Sequence, residues 1–286
     1  MRDNVWAIVL AGGDGTRLVT ECVRRYGYPR PKQYCDFDGR GTLLDRTLGR
    51  AAQVANDGRI VVVTTRAHRR EADEVLSRWP DVTRVEQPRN ADTTAGIILP
   101  LLHVLSQDPG ATIVLFPSDH QVRDEGAFVR AASRAARVAS VRDCVVLLGA
   151  EPDGPEEDYG WIVPGSEAPA GDAVVQSFRE KPPREEIGAL LESGALLNTF
   201  VLAAPAYRLV ELVASYTPLA WTLLSGAWGS AEAIERAYEK LPRSNFSRDV
   251  LERARSLRVL PVSAGWSDIG TPYRLHREVL HDALSA

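Results

Sequence analysis

Cysteine is scarce in this sequence: Cys22, Cys35 and Cys144 are the only three in 286 residues. Their number is odd and none forms a Cys-x-x-Cys pair. That excludes a disulfide framework or a zinc site and predicts reduced thiols in a cytoplasmic protein. Positive charge is not in excess either, with 34 Lys and Arg against 38 Asp and Glu and a formal net charge of −4. This balance gives no reason to expect nucleic acid or an anionic membrane as a partner, so an anionic substrate must be held by local cations. Long apolar runs are missing. The N-terminal run Val5–Leu10 is ended at once by glycines, too soon for a signal peptide or a membrane span. Internal repeats, low-complexity tracts and obvious linkers are missing as well. What remains, at 44% hydrophobic and 25% charged residues, is the composition of one large globular domain.

What is present is a regular alternation. Apolar runs at Val5–Leu10, Ile60–Val63, Val82–Val85, Thr112–Phe116 and Val145–Leu148 read as buried strands. Helical spacing lies between them: after a Thr42 cap (Leu44, Leu48, Ala51, Ala55), at Glu71–Trp79, at Thr93–Leu105 and at Phe128–Ala139. This pattern predicts an α/β fold with a doubly wound, mainly parallel (mixed) sheet of Rossmann-like type. From Glu151 an acidic stretch rich in Gly and Pro leads into strand-like pieces at Trp161–Val163, Ala173–Phe178, Leu197–Ala203 and Leu257–Val262. Helical composition returns at Arg184–Glu192, at Tyr207–Tyr238 with interruptions near Pro218 and Gly226, and at Tyr273–Ala283. Val19–Arg30 is polar and basic and reads as a solvated loop, or as a guard for an anion site.

The chemistry concentrates where the first strand ends. Leu10, Ala11, Gly12, Gly13, Asp14, Gly15, Thr16, Arg17 and Leu18 follow one another, and Pro31-Lys32-Gln33 comes soon after. Glycines let backbone N–H groups close around an anion, and Arg17 and Lys32 add fixed positive charge, so the segment reads as a cradle for a di- or triphosphate. It is not a P-loop, because no Gly-Lys-Ser/Thr closes it. It is not the dinucleotide fingerprint, because Leu18 stands where the third glycine is due. Asp119, in Pro117-Ser118-Asp119-His120, follows a fully apolar strand, and Asp268 lies in Gly265-Trp266-Ser267-Asp268-Ile269-Gly270. Either aspartate alone would be a turn residue. A carboxylate at a strand's carboxyl end beside a phosphate loop is also well placed for Mg²⁺. His120 has no second His or Cys at ligand spacing and reads as structural.

The string Leu-Ala-Gly-Gly-x-Gly-Thr-Arg-Leu with Pro-Lys-Gln resembles the signature of the nucleotidyltransferases that join a nucleoside triphosphate to a sugar 1-phosphate and release pyrophosphate. Pro-Lys-Gln is the variant of the mannose-1-phosphate guanylyltransferases, and it also occurs in cytidylyltransferases of isoprenoid synthesis. Ser118-Asp119-His120 and Gly265–Gly270 resemble the family's two metal-aspartate motifs. Phe178-Arg179-Glu180-Lys181-Pro182 resembles its Phe-x-Glu-Lys-Pro, Tyr159-Gly160 its Tyr-Gly element, and Asn198 the asparagine of its Asn-Ser-Gly. Glu86–Thr94, with Pro88, Asn90 and Thr93, resembles the segment that meets the nucleobase. The matches span Val5–Gly270.

The resemblance implies roles. Leu10 to Gly13, Gly15, Thr16, Arg17, Pro88, Asn90, Thr93 and Ser118 would bind the nucleotide. Tyr159, Gly160, Glu180, Lys181 and Asn198 would bind the sugar phosphate. Arg17, Lys32, Asp119 and Lys181 would be catalytic, and Asp119 and Asp268 would hold Mg²⁺. Residues 1–286 would form one domain, with 1–150 as its nucleotide half and 151–286 as its sugar-phosphate half, and no β-helix domain. The partners implied are GTP and mannose 1-phosphate, with no nucleic acid and no membrane, and a homodimer is compatible. Two departures bear on specificity: a different, basic segment bridges Leu18 and Pro31, and Thr199 and Phe200 stand where the family has Ser and Gly. The alternatives are another base or acceptor, including a cytidylyltransferase, and a sensor that binds a nucleotide sugar without turning it over.

Overall fold

A computed structural model describes residues 4–55, 58–167 and 171–285. The strands are β1 (Val5–Leu10), β2 (Ile60–Thr65), β3 (Thr83–Gln87), β4 (Thr112–Pro117), β5 (Gln121–Val122), β6 (Val145–Ala150), β7 (Gly160–Glu167), β8 (Ala173–Glu180), β9 (Leu196–Pro205), β10 (Leu257–Val262) and β11 (Trp266–Ser267). The helices are α1 (Val19–Tyr26), α2 (Leu43–Val54), α3 (Arg69–Leu76), α4 (Thr93–Gln107), α5 (Glu125–Arg142), α6 (Arg184–Glu192), α7 (Ala206–Tyr216), α8 (Pro218–Ala227), α9 (Ala231–Lys240) and α10 (Pro272–Ser285). Among the described residues, nine strands make one sheet in the order β3-β2-β1-β4-β9-β6-β10-β8-β7, and β5 and β11 make a separate ribbon.

The sheet is mixed. Its parallel part is the block β3-β2-β1-β4, extended by the β6–β10 pair, while β9, β8 and β7 pair antiparallel. The parallel block owes its continuous apolar sequence to burial on both faces. Successive side chains alternate between two cores: Trp6, Ile8, Ile113 and Leu115 pack with α4, α7 and α8, while Ala7, Val9, Val114 and Phe116 pack with α2, α3 and α5. α4 is apolar almost all round because it is buried in the first of these cores. α2 begins at Thr42, whose hydroxyl accepts from Asp45 N–H at 3.1 Å while Asp45 Oδ2 accepts from Thr42 N–H at 3.2 Å. Such a reciprocal cap stabilises a helix by about 1 kcal/mol.

One expectation fails. Val19–Arg30 is not a loop, because Val19–Tyr26 is helical. Cys22 is its one buried residue, set in a small cluster with Leu18, Cys35, Leu43, Ile269 and Leu275. One buried position leaves no apolar stripe for a sequence pattern to reveal. All three cysteines are free thiols. Among the described residues no helix is long and apolar enough to cross a membrane.

Candidate active site

The carboxyl ends of β1 and β4 open onto one cavity of about 290 Å³, and the near ends of β7, β8 and β9 close its other side. That is the position in which open α/β sheets bind ligands. Leu10, Gly13, Arg17, Ser118 and Asp119 line one wall; Tyr159, Gly160, Glu180, Lys181 and Asn198 line the other. A second cleft of about 140 Å³ adjoins it, lined among others by Gly12, Gly13, Asn90 and Thr93. Hollows of about 660 and 590 Å³ lie elsewhere, along α5 and beside α1 and α10, and gather none of these groups.

Lys32 is the centre of the charged part. It is only 4% exposed, yet its ammonium is engaged on two sides: Nζ donates to the Asp268 carbonyl at 2.6 Å and pairs with Asp119 Oδ2 at 3.2 Å. Gly15 makes room for this turn. Its φ of +59° suits glycine, and a Cβ would stand 2.7 Å from the Lys32 amide nitrogen. Burial by itself would push the Asp119 carboxyl up, but Lys32 and His120 outweigh it and hold that group below the usual carboxylate range.

Asp268 is treated the same way by different partners. Its burial is outweighed by the hydrogen bond from Tyr159 and the charge of Lys32, so it too stays ionised. Oδ1 accepts from the Tyr159 hydroxyl at 2.6 Å, Gly270 N–H at 2.9 Å and Arg274 Nη1 at 3.1 Å. Oδ2 faces Arg17 at 3.5 Å. His120 accepts from the Trp266 indole at 3.1 Å, and burial lowers its pKa to about 4, so it is neutral at pH 7. Among the described residues no third His, Cys, Asp or Glu joins the two aspartates in a metal cluster. Two carboxylates without a closed cage suit magnesium, which keeps waters and substrate phosphates as its other ligands. They do not suit a structural zinc.

At the other wall, β7 and β8 pair Gly160 with Glu180. A Cβ on Gly160 would meet Glu180 Oε2 at 2.8 Å and Phe178 Cζ at 2.9 Å, so the glycine permits this close packing. Burial raises the Glu180 pKa, offset in part by Lys181 and Arg248. Lys181 has φ +50° and donates its backbone N–H to the Tyr159 carbonyl at 3.0 Å. Asn198 Oδ1 accepts from Phe200 N–H at 3.1 Å, which leaves its amide N–H₂ as the group available to a ligand. Phe200 holds φ +60°, a conformation costly for an aromatic residue, where the β6–β9 register shifts.

Most of the residues singled out in the sequence therefore converge. Pro88, Gly15 and Lys32 line neither cleft, Lys32 being buried beneath the larger one; Ala11 is buried behind the loop, and Thr16 lies exposed in the 3-10 turn Thr16–Leu18. Phe200, marked in the sequence as a departure that bears on specificity, lines the larger cavity, and so do Asp158, Asn245 and Ser247, which the sequence did not single out; Gln87 and Arg243 line the smaller cleft. Asn245 lies just before, and Ser247 opens, a short π-helical turn, Ser247–Leu251, a feature often found at functional sites. Their only signal in the sequence was the Asn-Phe-Ser string itself.

A glycine loop, a lysine held between two ionised aspartates and a polar wall thus meet at the carboxyl ends of the strands, the arrangement of a site for a phosphorylated ligand. The chain belongs to the nucleotidyl transferase family, whose model matches residues 6–283. Xanthan biosynthesis protein XanB of Xanthomonas campestris pv. campestris (strain B100) is 31% identical over 279 residues, covering 94% of this chain and 58% of that protein. Mannose-1-phosphate guanylyltransferase of Escherichia coli (strain K12) is 29% identical over 290 residues, covering 94% of this chain and 59% of that one. The chain thus spans little more than half the length of these curated relatives. A crystal structure described as mannose-1-phosphate geranyltransferase from Thermus thermophilus superimposes with a TM-score of 0.81 at 27% identity, covering 94% of this chain and 77% of that one.

Proposed function

We propose that this protein transfers a nucleotidyl group from a nucleoside triphosphate to a sugar 1-phosphate, with GTP and mannose 1-phosphate as substrates, giving a nucleotide sugar and pyrophosphate. The observation that supports this reading is the cavity in which Asp119 and Asp268, joined beneath it by the buried Lys32, stand between the glycine loop and the Glu180–Lys181–Asn198 wall. In the reaction an oxygen of the sugar phosphate attacks the α-phosphorus in line, a new P–O bond forms, and the bond to pyrophosphate breaks. Such chemistry needs positioning and charge neutralisation more than covalent catalysis.

Each residue has a part in that scheme. The loop amides and Arg17 hold the β- and γ-phosphates. Lys32 offsets charge at the α-phosphate, and Lys181 steadies the attacking phosphate. Glu180 accepts sugar hydroxyls, Asn198 donates to one, and Gly160 lets the sugar approach the backbone. Asp119 and Asp268 would hold Mg²⁺, which when bound neutralises phosphate charge. Asn90 and Thr93 lie beside the smaller cleft, where the base would sit; Thr93 is fixed by accepting from Phe246 N–H at 2.8 Å. The names of the relatives support guanosine and mannose.

The test is pyrophosphate release with Mg²⁺ over a grid of nucleoside triphosphates and sugar 1-phosphates. Turnover confined to GTP and mannose 1-phosphate is the expected result. Turnover with another pair would keep the transfer and discard the substrates. No turnover, with nucleotide sugar still bound, would replace the transferase by a sensor.

A further inference from the structure

The glycine loop divides its peptide groups between two environments. Its carbonyls are captured from behind: Ala11 O accepts from Gln33 Nε2 at 3.2 Å and from the Tyr34 hydroxyl at 3.1 Å, Gly12 O from the Thr65 hydroxyl at 2.8 Å, and Gly13 O from Gln33 Nε2 at 2.7 Å. The amides of Gly12, Gly13, Asp14 and Gly15 donate to no protein group among the described residues. These two facts are linked. In a trans peptide the C=O of one residue and the N–H of the next point in opposite directions across one plane. Holding the carbonyls of Ala11, Gly12 and Gly13 against the protein turns the N–H groups of Gly12, Gly13 and Asp14 away from it.

We propose that Gln33, Tyr34 and Thr65 are positioning residues that clamp this loop into a receptor for the polyphosphate of the nucleotide. The inference rests on the function proposed above. The three donors are almost fully buried, Gln33 at 2%, Tyr34 at 0% and Thr65 at 1% exposure, so their bonds to the loop are not exchanged with water. They are uncharged and bond to the loop on its carbonyl side, so, although Gln33 also borders the cavity, they add no charge to compete with the amides and Arg17. Gln33 and Tyr34 share the 3-10 turn Lys32–Tyr34 with Lys32 itself. That one rigid turn therefore fixes the loop on one side and the paired aspartates on the other. A loop set in this way needs no reorganisation when an anion arrives, the condition under which backbone dipoles are most effective.

Thr65 gives the cleanest test, because valine keeps the shape of the side chain and removes the hydroxyl, while serine keeps the hydroxyl. Binding of inorganic pyrophosphate and of GTP, each with Mg²⁺, would be measured by calorimetry on wild type, Thr65→Val, Thr65→Ser and Gln33→Glu. KM for both substrates would be measured in parallel. Thr65→Val should weaken pyrophosphate and raise the KM for GTP by about fivefold to tenfold, the usual worth of one hydrogen bond. Thr65→Ser should stay near wild type, and Gln33→Glu, which turns a donor into an acceptor facing two carbonyls, should lose more. The KM for the sugar phosphate should not move. A folded Thr65→Val that binds pyrophosphate as wild type does would overturn the clamp. So would a loss spread equally over both substrates, the mark of a merely structural role. Should Gln33→Glu not fold, the Thr65 pair decides alone. Wild type that binds neither pyrophosphate nor any nucleoside triphosphate would bring down the proposed function itself, and the clamp with it.

Discussion

Adding one methyl group at Gly160 tests the sugar wall directly. The residue sits at the start of β7 opposite Glu180, and its φ lies outside the positive range, so Gly160→Ala introduces no backbone strain. What it introduces is a Cβ 2.8 Å from Glu180 Oε2, 2.9 Å from Phe178 Cζ and 3.3 Å from Asn198 Cβ. The Glu180 carboxylate is the end of a flexible chain and can yield, but it can do so only by leaving its place in the cavity. The Phe178 ring is 4% exposed, packed in the core, and cannot. Overpacking of this kind costs about 1–3 kcal/mol. Displacing a binding group by about 1 Å can cost on the order of 10²-fold in rate. We therefore expect a folded protein with a lower melting temperature, a KM for the sugar 1-phosphate raised by about 10- to 100-fold, and a KM for the nucleotide close to wild type. Thermal melts and initial rates with each substrate varied in turn would measure this. A folded variant with an unchanged sugar-phosphate KM, or with both KM values raised alike, would refute the assignment of this wall.

Three further outcomes can be checked with the same assays. Glu180→Gln removes a carboxylate whose pKa burial has raised, and the stability linked to its protonated form is present at low pH and lost as pH rises through that raised value. The glutamine variant should therefore melt higher than wild type at pH 7, with the gap closing as pH falls toward 4, and its sugar-phosphate KM should rise; a gap that widened in acid would contradict the sign. Asp119→Ala should keep its fold and lose turnover by on the order of 10³-fold, as removal of one stabilising group from a polar site does elsewhere, and chelation of Mg²⁺ should silence wild type reversibly. Arg243 is exposed, lines the smaller cleft and has no hydrogen bond or ion pair among the described residues. Arg243→Ala should thus leave the melting temperature unchanged and weaken nucleotide binding by about tenfold, the scale of one charge-assisted hydrogen bond.

Local signals carried most of the fold into the sequence. Val5–Leu10 is uniformly apolar because it is covered on both faces, and Thr42 announces α2 because its hydroxyl is needed by the first turn. The glycine loop, Asp119 and Asp268 were visible because each needs a particular residue type at a particular strand end. α1 was hidden, since its only buried side chain is Cys22; the one mark of its presence is Gly27, which ends it at φ +80°. Contacts between distant segments were hidden for a different reason. Tyr159 and Asp268 are 109 positions apart, Lys32 and Asp268 are 236 apart, and no periodicity links them. Arg243, Asn245 and Ser247 fall in the same class, because their segment is held beside the cavities by contacts to the distant start of α4: Ser244 bonds to Ala91 and Thr94, and Phe246 N–H to Thr93.

The contacts of Asp268 explain why the two walls cannot be treated as separate devices. Asp268 belongs to the C-terminal part of the chain, yet its carbonyl anchors Lys32 from the N-terminal part, and its carboxylate faces Arg17. Three donors hold Oδ1, and Arg274, which supplies one of them, also packs its guanidinium over the Tyr159 ring at 4.6 Å. The carboxylate therefore has one settled orientation, with Oδ2 turned toward Arg17. Gly270 preserves that orientation, because a Cβ there would approach Arg17 Nη1 to 2.8 Å and press on Oδ2 as well. Charge follows the same logic. In a chain of net charge −4 the site's cations are placed individually, Lys32 buried between two aspartates and Arg17 and Lys181 at the rim, which is what the two phosphorylated substrates of the proposed function would require. Lys32 and Asp119 balance one another at 3.2 Å, so under the proposed function a phosphate would compete with Asp119 for Lys32, and Mg²⁺ held by Asp119 and Asp268 would supply the charge that relieves this competition. Under the proposed function, substrate binding and metal binding would therefore favour each other, each supplying the charge that the other displaces.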